Sequence, residues 1–153
     1  MMSLVNISKA LAKTRVLLVD DHTIVRQGIR LLLETQGNIK VVGEAADGRQ
    51  AIEKVKQLTP DVVVLDMETQ NPNGIITLYK FKETNPEVKV IIITHRDNEE
   101  YIYLILKAGA AGYLLRDLGV VDLISAIKSV MEGNVFLASS ITSVIAKSLY
   151  KLP

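Results

Sequence analysis

Five short apolar runs, rich in valine and isoleucine, recur along the chain. They cover residues 15–19, 40–45, 61–65, 89–93 and 112–115. Two of them, within 62–65 and 90–93, are continuously apolar instead of alternating with polar residues. Continuous apolar runs are typical of parallel strands that are covered on both faces. The pattern therefore predicts five buried β-strands.

Apolar residues at helical spacing occupy the segments between these runs. Val25, Ile29 and Leu32 fall at positions i, i+4 and i+7, and segments 51–58 and 123–131 carry similar stripes. Parallel strands need crossover connections, and regular alternation of strand and helix places helices on both faces of the sheet. The chain is therefore predicted to form a doubly wound α/β domain.

Turn and capping residues predict where the helices begin and end. The first three helices are predicted to end at Gly37-Asn38, Thr59-Pro60 and Asn85-Pro86. Asp97 and Glu100 have the spacing of a capping box, which predicts the start of the fourth helix.

The two ends of the chain are not needed for this fold. Residues 1–13, which begin with a doubled methionine, are interpreted as an N-terminal extension or tag, and residues 14–137 as the domain. After a break at Gly133-Asn134, residues 138–153 contain another amphipathic stretch. This stretch is predicted to be either an extra C-terminal helix packed on the domain or the start of a linker.

Length and composition narrow the possible functions. The 153 residues suffice for one ordinary domain. Lys and Arg total 18 against 17 Asp and Glu, so a net charge of +1 gives no global attraction to nucleic acid or anionic membranes. The absence of cysteine excludes disulfides, thiolate metal sites and cysteine nucleophiles. Without a signal peptide or an apolar stretch of about 20 residues, the expected location is cytoplasmic, with no membrane partner.

Polar side chains follow four of the five predicted strands. Asp20 and Asp21 follow the first strand, Asp66 the third, Thr94 the fourth and Arg116 the fifth. Ligands of open α/β sheets bind outside the carboxyl ends of the strands, at the point where the strand order reverses. We therefore expect these side chains to form a site.

Three converging carboxylates repel one another unless a cation lies between them. Mg²⁺ suits this role, because it takes oxygen ligands and is commonly held by one or two carboxylates plus a phosphate. Thr94 can donate a hydrogen bond to a phosphoryl oxygen, and Arg116 can neutralise one. The set predicts phosphoryl chemistry with Asp66 as the nucleophile. The competing interpretation, that each Asp only caps a helix or forms a turn, is disfavoured for the combined set.

Other functional motifs are absent from the sequence. It contains no P-loop, no G-x-G-x-x-G after a strand and no nucleophile elbow. His22 and His95 are the only histidines, too few and too far apart in sequence to suggest a zinc cluster. We expect His22 to help start the first helix and His95 to line the rim of the pocket.

Four sequence motifs, at residues 16–22, 60–66, 92–94 and 108–117, carry a resemblance to a known family. They resemble the receiver domain of two-component response regulators, in particular the branch joined to LuxR-type or NarL-type DNA-binding domains. The resemblance implies a flavodoxin-like, CheY-like fold: a doubly wound five-stranded parallel sheet with strand order 2-1-3-4-5, followed here by either an extra C-terminal helix or the start of a linker to a DNA-binding domain.

The same resemblance implies roles for individual residues. A histidine kinase would pass a phosphoryl group to Asp66, making the domain a phosphorelay acceptor and not an enzyme, beyond self-phosphorylation and autodephosphorylation. Thr94 would be the switch hydroxyl and Tyr113 the aromatic residue that turns inward, with Arg116 completing the site. The implied ligands of Mg²⁺ are Asp20, Asp21, Asp66 and the backbone carbonyl of Glu68.

Partners are also implied by the resemblance. DNA would be bound only through an output domain outside this chain. Receivers commonly pair through the face made by helix four, strand five and helix five, and residues 101–106 are six consecutive apolar or aromatic residues that must encircle helix four. A homodimer through this face is one expectation, and a helix buried more deeply than usual is the alternative.

Three features depart from the pattern of the family. Arg116 stands in place of the usual lysine, Pro72 is shifted by two positions in the loop after Asp66, and His95 replaces a small residue. They favour a pseudo-receiver, an interaction module that does not switch by phosphorylation, whereas the three carboxylates favour a phosphoacceptor. A phosphatase of the haloacid dehalogenase type would need an Asp where the chain has Glu68.

Overall fold

The computed structural model describes residues 3–4, 12–117 and 119–150. Strands and helices alternate along the described chain. Their order is β1 (Thr14–Val19), α1 (Thr23–Glu34), β2 (Ile39–Ala45), α2 (Gly48–Leu58), β3 (Val62–Asp66), α3 (Gly74–Thr84), β4 (Lys89–Thr94), α4 (Glu99–Lys107), β5 (Gly112–Leu115), α5 (Val120–Met131), β6 (Phe136–Leu137) and α6 (Ser139–Tyr150).

The strands form one parallel sheet with the order β2-β1-β3-β4-β5-β6. This confirms the doubly wound fold, and each predicted strand lies within one residue of the observed bounds. The short β6, which pairs with β5 through Gly112 and Phe136, was not predicted. Two residues are too few to show a periodicity in the sequence.

The core lies on both faces of β3, whose five residues are all buried. Helices on either side supply fully buried side chains, among them Leu33, Ala51, Phe81, Ile102 and Ile105. Because β3 is covered on both faces and paired on both edges, only its two ends can present groups to a ligand. Asp66 is at its carboxyl end.

Most helix boundaries follow the turn residues, but two predictions are wrong. The second and third helices end at Leu58 and Thr84, as predicted from the prolines that follow. Helix α1 ends at Glu34, before the predicted Gly37-Asn38 turn. The capping box of Asp97 and Glu100 does not form, because Asn98 is the cap and its side chain accepts a hydrogen bond from the Tyr101 amide at 2.8 Å. Asn caps as well as Asp, and spacing alone did not distinguish neighbouring candidates.

Residues 139–150 form a helix that packs on the domain, the first of the two alternatives from the sequence. Ile141 of α6 is fully buried, and Val144 and Ile145 pack against the core. The Tyr103 hydroxyl of α4 donates to Ser148 Oγ of α6 at 3.4 Å. Most of the predicted N-terminal extension, and residues 151–153, lie outside the described residues. Within the described segments, no helix is both long and apolar enough to span a membrane.

Candidate functional site

Four strands bring polar residues to one edge of the sheet. Asp66 and Thr94 are the last residues of β3 and β4, Asp20 and Asp21 follow β1, and Arg116 follows β5. Since β3 pairs with both β1 and β4, Asp66 lies at the centre of this group. The topology therefore brings together the strand-end residues that the sequence singles out.

Asp66 is a buried carboxylate with its two oxygens held differently. Oδ1 accepts a hydrogen bond from the Glu68 amide at 3.0 Å, and Oδ2 accepts one from the Arg116 guanidinium. Burial raises the pKa of Asp66, and the charge of Asp20 raises it further, while the bonds from Glu68 and Arg116 only partly oppose the rise. The ionised form of Asp66 is thus disfavoured, which a cation at the site would relieve.

The acidic residues form a group that could hold a metal ion. Asp20, Asp21, His22 and Asp66 each offer one ligand atom, and these atoms all lie within 4.8 Å of one another. The oxygen donors are the type that Mg²⁺ prefers. The Glu68 carbonyl, the remaining expected ligand, accepts a hydrogen bond from Gln70 Nε2 at 3.1 Å. A carbonyl has two lone pairs, so this bond leaves capacity for a ligand.

His22 lies at the start of the first helix, as expected from the sequence, but its side chain faces the carboxylates of the acidic group. His22 is the residue before α1, but its side chain makes no capping hydrogen bond. Its Nδ1 instead lies 2.8 Å from Asp20 Oδ1 and 3.0 Å from Asp21 Oδ1. The hydrogen bond to Asp20 and the two negative charges raise the pKa of His22. The separation of Asp20 and His22 by two residues was an available signal, since alternate residues of extended chain share a face.

Thr94 is fully buried, and its hydroxyl is engaged by Glu68. Thr94 Oγ1 donates to Glu68 Oε1 at 3.2 Å and accepts from the Arg96 amide at 3.2 Å. The same Glu68 oxygen lies 2.6 Å from His95 Nδ1. Glu68 Oε2 is buried, and none of the described residues gives it a hydrogen bond. Sequence reasoning had assigned only the Glu68 backbone to the site, and no local pattern indicated this role for its side chain.

Tyr113, the aromatic residue that the resemblance assigns to switching, packs inside the domain. It is fully buried, and its hydroxyl donates to the Arg96 carbonyl at 2.6 Å. The ring stands edge-on to Tyr101, with ring centroids 6.5 Å apart. Burial is the main cause of its strongly raised pKa. Arg96 thus connects Tyr113, through its carbonyl, with Thr94, through its amide.

His95 borders an open cavity of about 290 Å³ that no residue of the acidic group lines, so its expected place at the rim of the acidic site stays a prediction. Its side chain is 65% exposed and contacts Glu68. The walls also include Asn73, Arg96 and Tyr101.

The unusual loop between β3 and α3 is tied to a neighbouring helix. The carbonyls of Gln70 and Asn71 accept hydrogen bonds from the amides of Gly48 and Arg49, at 2.9 and 2.8 Å. Asn73 caps α3 by accepting from the Ile76 amide at 3.0 Å. The loop with the shifted proline is therefore held in place at both ends.

Comparison with known proteins identifies what this chain is similar to. The model of the response regulator receiver domain matches residues 16–128. The nitrate/nitrite response regulator protein NarL of Escherichia coli K12 is 37% identical over 134 residues, which cover 88% of this chain and 62% of that protein. The oxygen regulatory protein NreC of Staphylococcus carnosus is 36% identical, with coverage of 84% of this chain and 60% of the relative. The chain thus spans about three fifths of these relatives.

Solved structures agree with this result. A LuxR-family two-component response regulator from Aurantimonas has a TM-score of 0.86 and 31% identity, and the match covers 92% of this chain and all of that one. The isolated receiver domain of RcsB from Salmonella enterica, solved with the phosphomimetic BeF₃⁻, has a TM-score of 0.79 and 27% identity. That match covers 86% of this chain and 98% of that structure.

The first testable prediction is that Asp66→Asn stabilises the protein when divalent ions are removed. The neutral amide avoids the burial cost and the repulsion by Asp20 that raise the pKa of Asp66. A carboxyl with a raised folded pKa contributes its full stability below the unfolded pKa and loses it as pH rises. At pH 7 with EDTA, we expect urea denaturation to show a gain of about 1 kcal/mol, an ordinary size for a point substitution.

With Mg²⁺ present, the wild-type protein should instead be more stable than Asp66→Asn, because the ion stabilises the wild-type protein and not the variant. Asp122→Asn, at a half-buried position on α5 outside the acidic group, is the control. A variant that is less stable than wild type in EDTA would contradict the prediction.

Proposed function

The chain belongs to the response regulator receiver domain family, and on that premise we propose that Asp66 is its phosphoacceptor, with Mg²⁺ held by the adjacent carboxylates. The observation that carries the proposal is the buried Asp66 carboxylate, placed at the end of the central strand within a four-residue group of potential metal ligands. Arg116 supports it by contacting the same carboxylate. The metal ligands in this proposal are Asp20, Asp21, Asp66 and the backbone carbonyl of Glu68.

In the proposed reaction, an Asp66 carboxylate oxygen attacks the phosphorus atom of a phosphohistidine on a histidine kinase. The new oxygen–phosphorus bond forms as the nitrogen–phosphorus bond breaks, and the leaving imidazole keeps the electron pair and takes up a proton. Mg²⁺, when bound, supplies positive charge to the phosphoryl oxygens. Arg116, which already contacts Asp66 Oδ2, offers its guanidinium to the transferred group.

Thr94 and Tyr113 would then report the new phosphoryl group. For Thr94 Oγ1 to donate to a phosphoryl oxygen, it must give up its hydrogen bond to Glu68 Oε1. Thr94 is coupled to Tyr113 because the amide of Arg96 contacts one and its carbonyl contacts the other. A change at Asp66 can therefore reach Tyr113 of β5 through a short series of hydrogen bonds that passes through Glu68, Thr94 and Arg96.

We further propose that the output is transcriptional and acts through a DNA-binding segment outside these residues. The support is that the chain matches about three fifths of relatives named as regulators. The proposed phosphoryl donor is a histidine kinase. Autodephosphorylation of Asp66 is part of the same proposal, and the expected location remains cytoplasmic.

The α4–β5–α5 face is the proposed site for pairing of two copies. Tyr103 and Leu104 are 41% and 43% exposed on α4, whereas their neighbours Ile102 and Ile105 are buried. The run at 101–106 therefore has one face in the core and one toward solvent. Helix α6 contacts part of this face through Ser148, which restricts the area that a second copy can cover.

Phosphorylation is tested directly with a small-molecule donor such as acetyl phosphate. With Mg²⁺ present, intact-mass measurement should show one added phosphoryl group, which should be lost with EDTA or in Asp66→Asn. Asp122→Asn should be labelled like wild type. Unlabelled wild-type protein that also binds no beryllium fluoride would contradict the proposal and favour the pseudo-receiver.

Glu68→Gln should speed phosphorylation by this donor. The amide keeps the size of the side chain but removes a negative charge beside the site and weakens the hold on Thr94, since neutral acceptors form weaker hydrogen bonds than carboxylates. A difference of ~1 kcal/mol in one hydrogen bond corresponds to a rate increase of about fivefold. Stopped-flow measurement of phosphorylation rates checks this, with the exposed Glu53→Gln as control. An unchanged or slower rate would show that Glu68 does not restrain Thr94.

Leu104→Glu should weaken self-association while leaving the fold intact, because it places a charge on the exposed side of α4. Light scattering at several concentrations, with Mg²⁺ and beryllium fluoride, would measure the mass in solution. Leu31→Glu on α1, where Leu31 is 71% exposed, is the matched control. The proposed face is wrong if the wild-type protein forms a dimer that is lost in Leu31→Glu but kept in Leu104→Glu. It is also wrong if the wild-type protein forms no dimer at any concentration.

A further inference from the structure

The side chain of Arg26 connects three parts of the fold near the acidic group. Arg26 lies in the first turns of α1, and its Nε donates to Glu44 Oε1 of β2 at 2.8 Å. Its Nη1 donates to the backbone carbonyl of Asp20 at 2.5 Å. Both charged side chains are largely withdrawn from solvent, with 12% of Arg26 and 19% of Glu44 exposed. A guanidinium that contacts two acceptors at once is held in one orientation.

These contacts hold the backbone of Asp20 from both sides. The Asp20 amide donates to the Ala45 carbonyl of β2 at 3.0 Å, and the Asp20 carbonyl accepts from Arg26. Its Oδ1 also accepts from the His22 amide at 2.8 Å. Fixing the peptide groups on either side of a residue fixes the direction of its Cα–Cβ bond, and the His22 amide holds Oδ1, so Arg26 helps to aim the Asp20 carboxylate.

Arg30, one turn further along α1, provides an internal comparison. Arg30 Nη1 donates to the other oxygen of Glu44, also at 2.8 Å. Its further contacts go to Glu34 and to the Val41 carbonyl. The two arginines therefore share one carboxylate, while only Arg26 also bonds to a residue of the acidic group.

We propose that Arg26, held in place by Glu44, is a positioning residue for the metal-binding carboxylate of Asp20. The inference rests on the proposed function, since it needs Asp20 to bind Mg²⁺. Arg26 touches neither the metal nor the phosphoryl group in this role. It acts through the Asp20 backbone, as outer groups that orient metal ligands do.

Arginine is required for this role because its planar fork presents separate nitrogens to the two acceptors. Lysine carries its charge at a single nitrogen, so it does not reproduce two bonds of fixed direction. The hydrogen bonds from Arg30 and Arg26 lower the pKa of Glu44 although its burial acts in the opposite direction. Glu44 is therefore an anion across the neutral pH range, and it holds the Arg26 guanidinium as an ion pair.

The test compares Arg26→Met with Arg30→Met in the full chain. Both variants lose one arginine of α1 and one ion pair with Glu44, so urea denaturation should show similar losses of stability. Isothermal titration should show Mg²⁺ affinity falling about tenfold in Arg26→Met, the low end of the effect for groups that orient metal ligands. The Mg²⁺ affinity of Arg30→Met should stay within twofold of the wild-type affinity. Beryllium fluoride binding in the presence of Mg²⁺ should follow the same order.

Arg26→Lys separates positioning from folding, and it also serves if the methionine variant does not fold. We expect it to recover most of the stability but little of the Mg²⁺ affinity. Equal Mg²⁺ affinities in the Arg26 and Arg30 variants, with binding by wild type intact, would overturn the positioning role. Wild-type protein that binds no Mg²⁺ would instead overturn the proposed function on which the inference rests.

Discussion

The close approach of carboxylates at the end of the central strand is the constraint on which the site depends. Burial and repulsion by Asp20 make the ionised form of Asp66 unfavourable, and Arg116 with the Glu68 amide offsets only part of that cost. A divalent cation between the carboxylates would complete the compensation. The arrangement is therefore suited to a group that must be reactive toward an anionic phosphoryl donor only when a cation is present.

The surroundings of the acidic group are organised to hold it in place and to transmit a change. On one side, Arg26 and Glu44 tie α1 and β2 to the backbone of Asp20. On the other, the Thr94 hydroxyl is engaged by Glu68, and Arg96 links Thr94 to Tyr113. The first set contains short contacts between largely buried charges, whereas two of the three hydrogen bonds in the second set are longer, at 3.2 Å. The second set is thus the part that the proposed phosphoryl group on Asp66 would rearrange.

Departures from the family pattern are accommodated by specific contacts. The longer Arg116 reaches Asp66 directly, so its charge is delivered to the carboxylate although its shape differs from that of lysine. The loop with the shifted Pro72 is anchored by two backbone hydrogen bonds to the start of α2. His95 pairs with Glu68 at the border of the cavity. These contacts are compatible with a phosphoacceptor and provide no positive support for a pseudo-receiver.

The sequence alone determined the order of strands and helices, and the residues that end the strands. Short continuous apolar runs rich in β-branched residues are typical of strands covered on both faces, and parallel pairing of such strands brings Asp20, Asp66 and Thr94 to one edge. Local spacing did not distinguish Asn98 from Asp97 as a cap, and it gave no signal for the two-residue β6. Side-chain partners across the fold were decided only in the tertiary structure: the Glu68 carboxylate on Thr94, and Arg26 between Glu44 and Asp20. These contacts join residues far apart in the chain or facing across elements, so their geometry exists only once the helices have packed on the sheet.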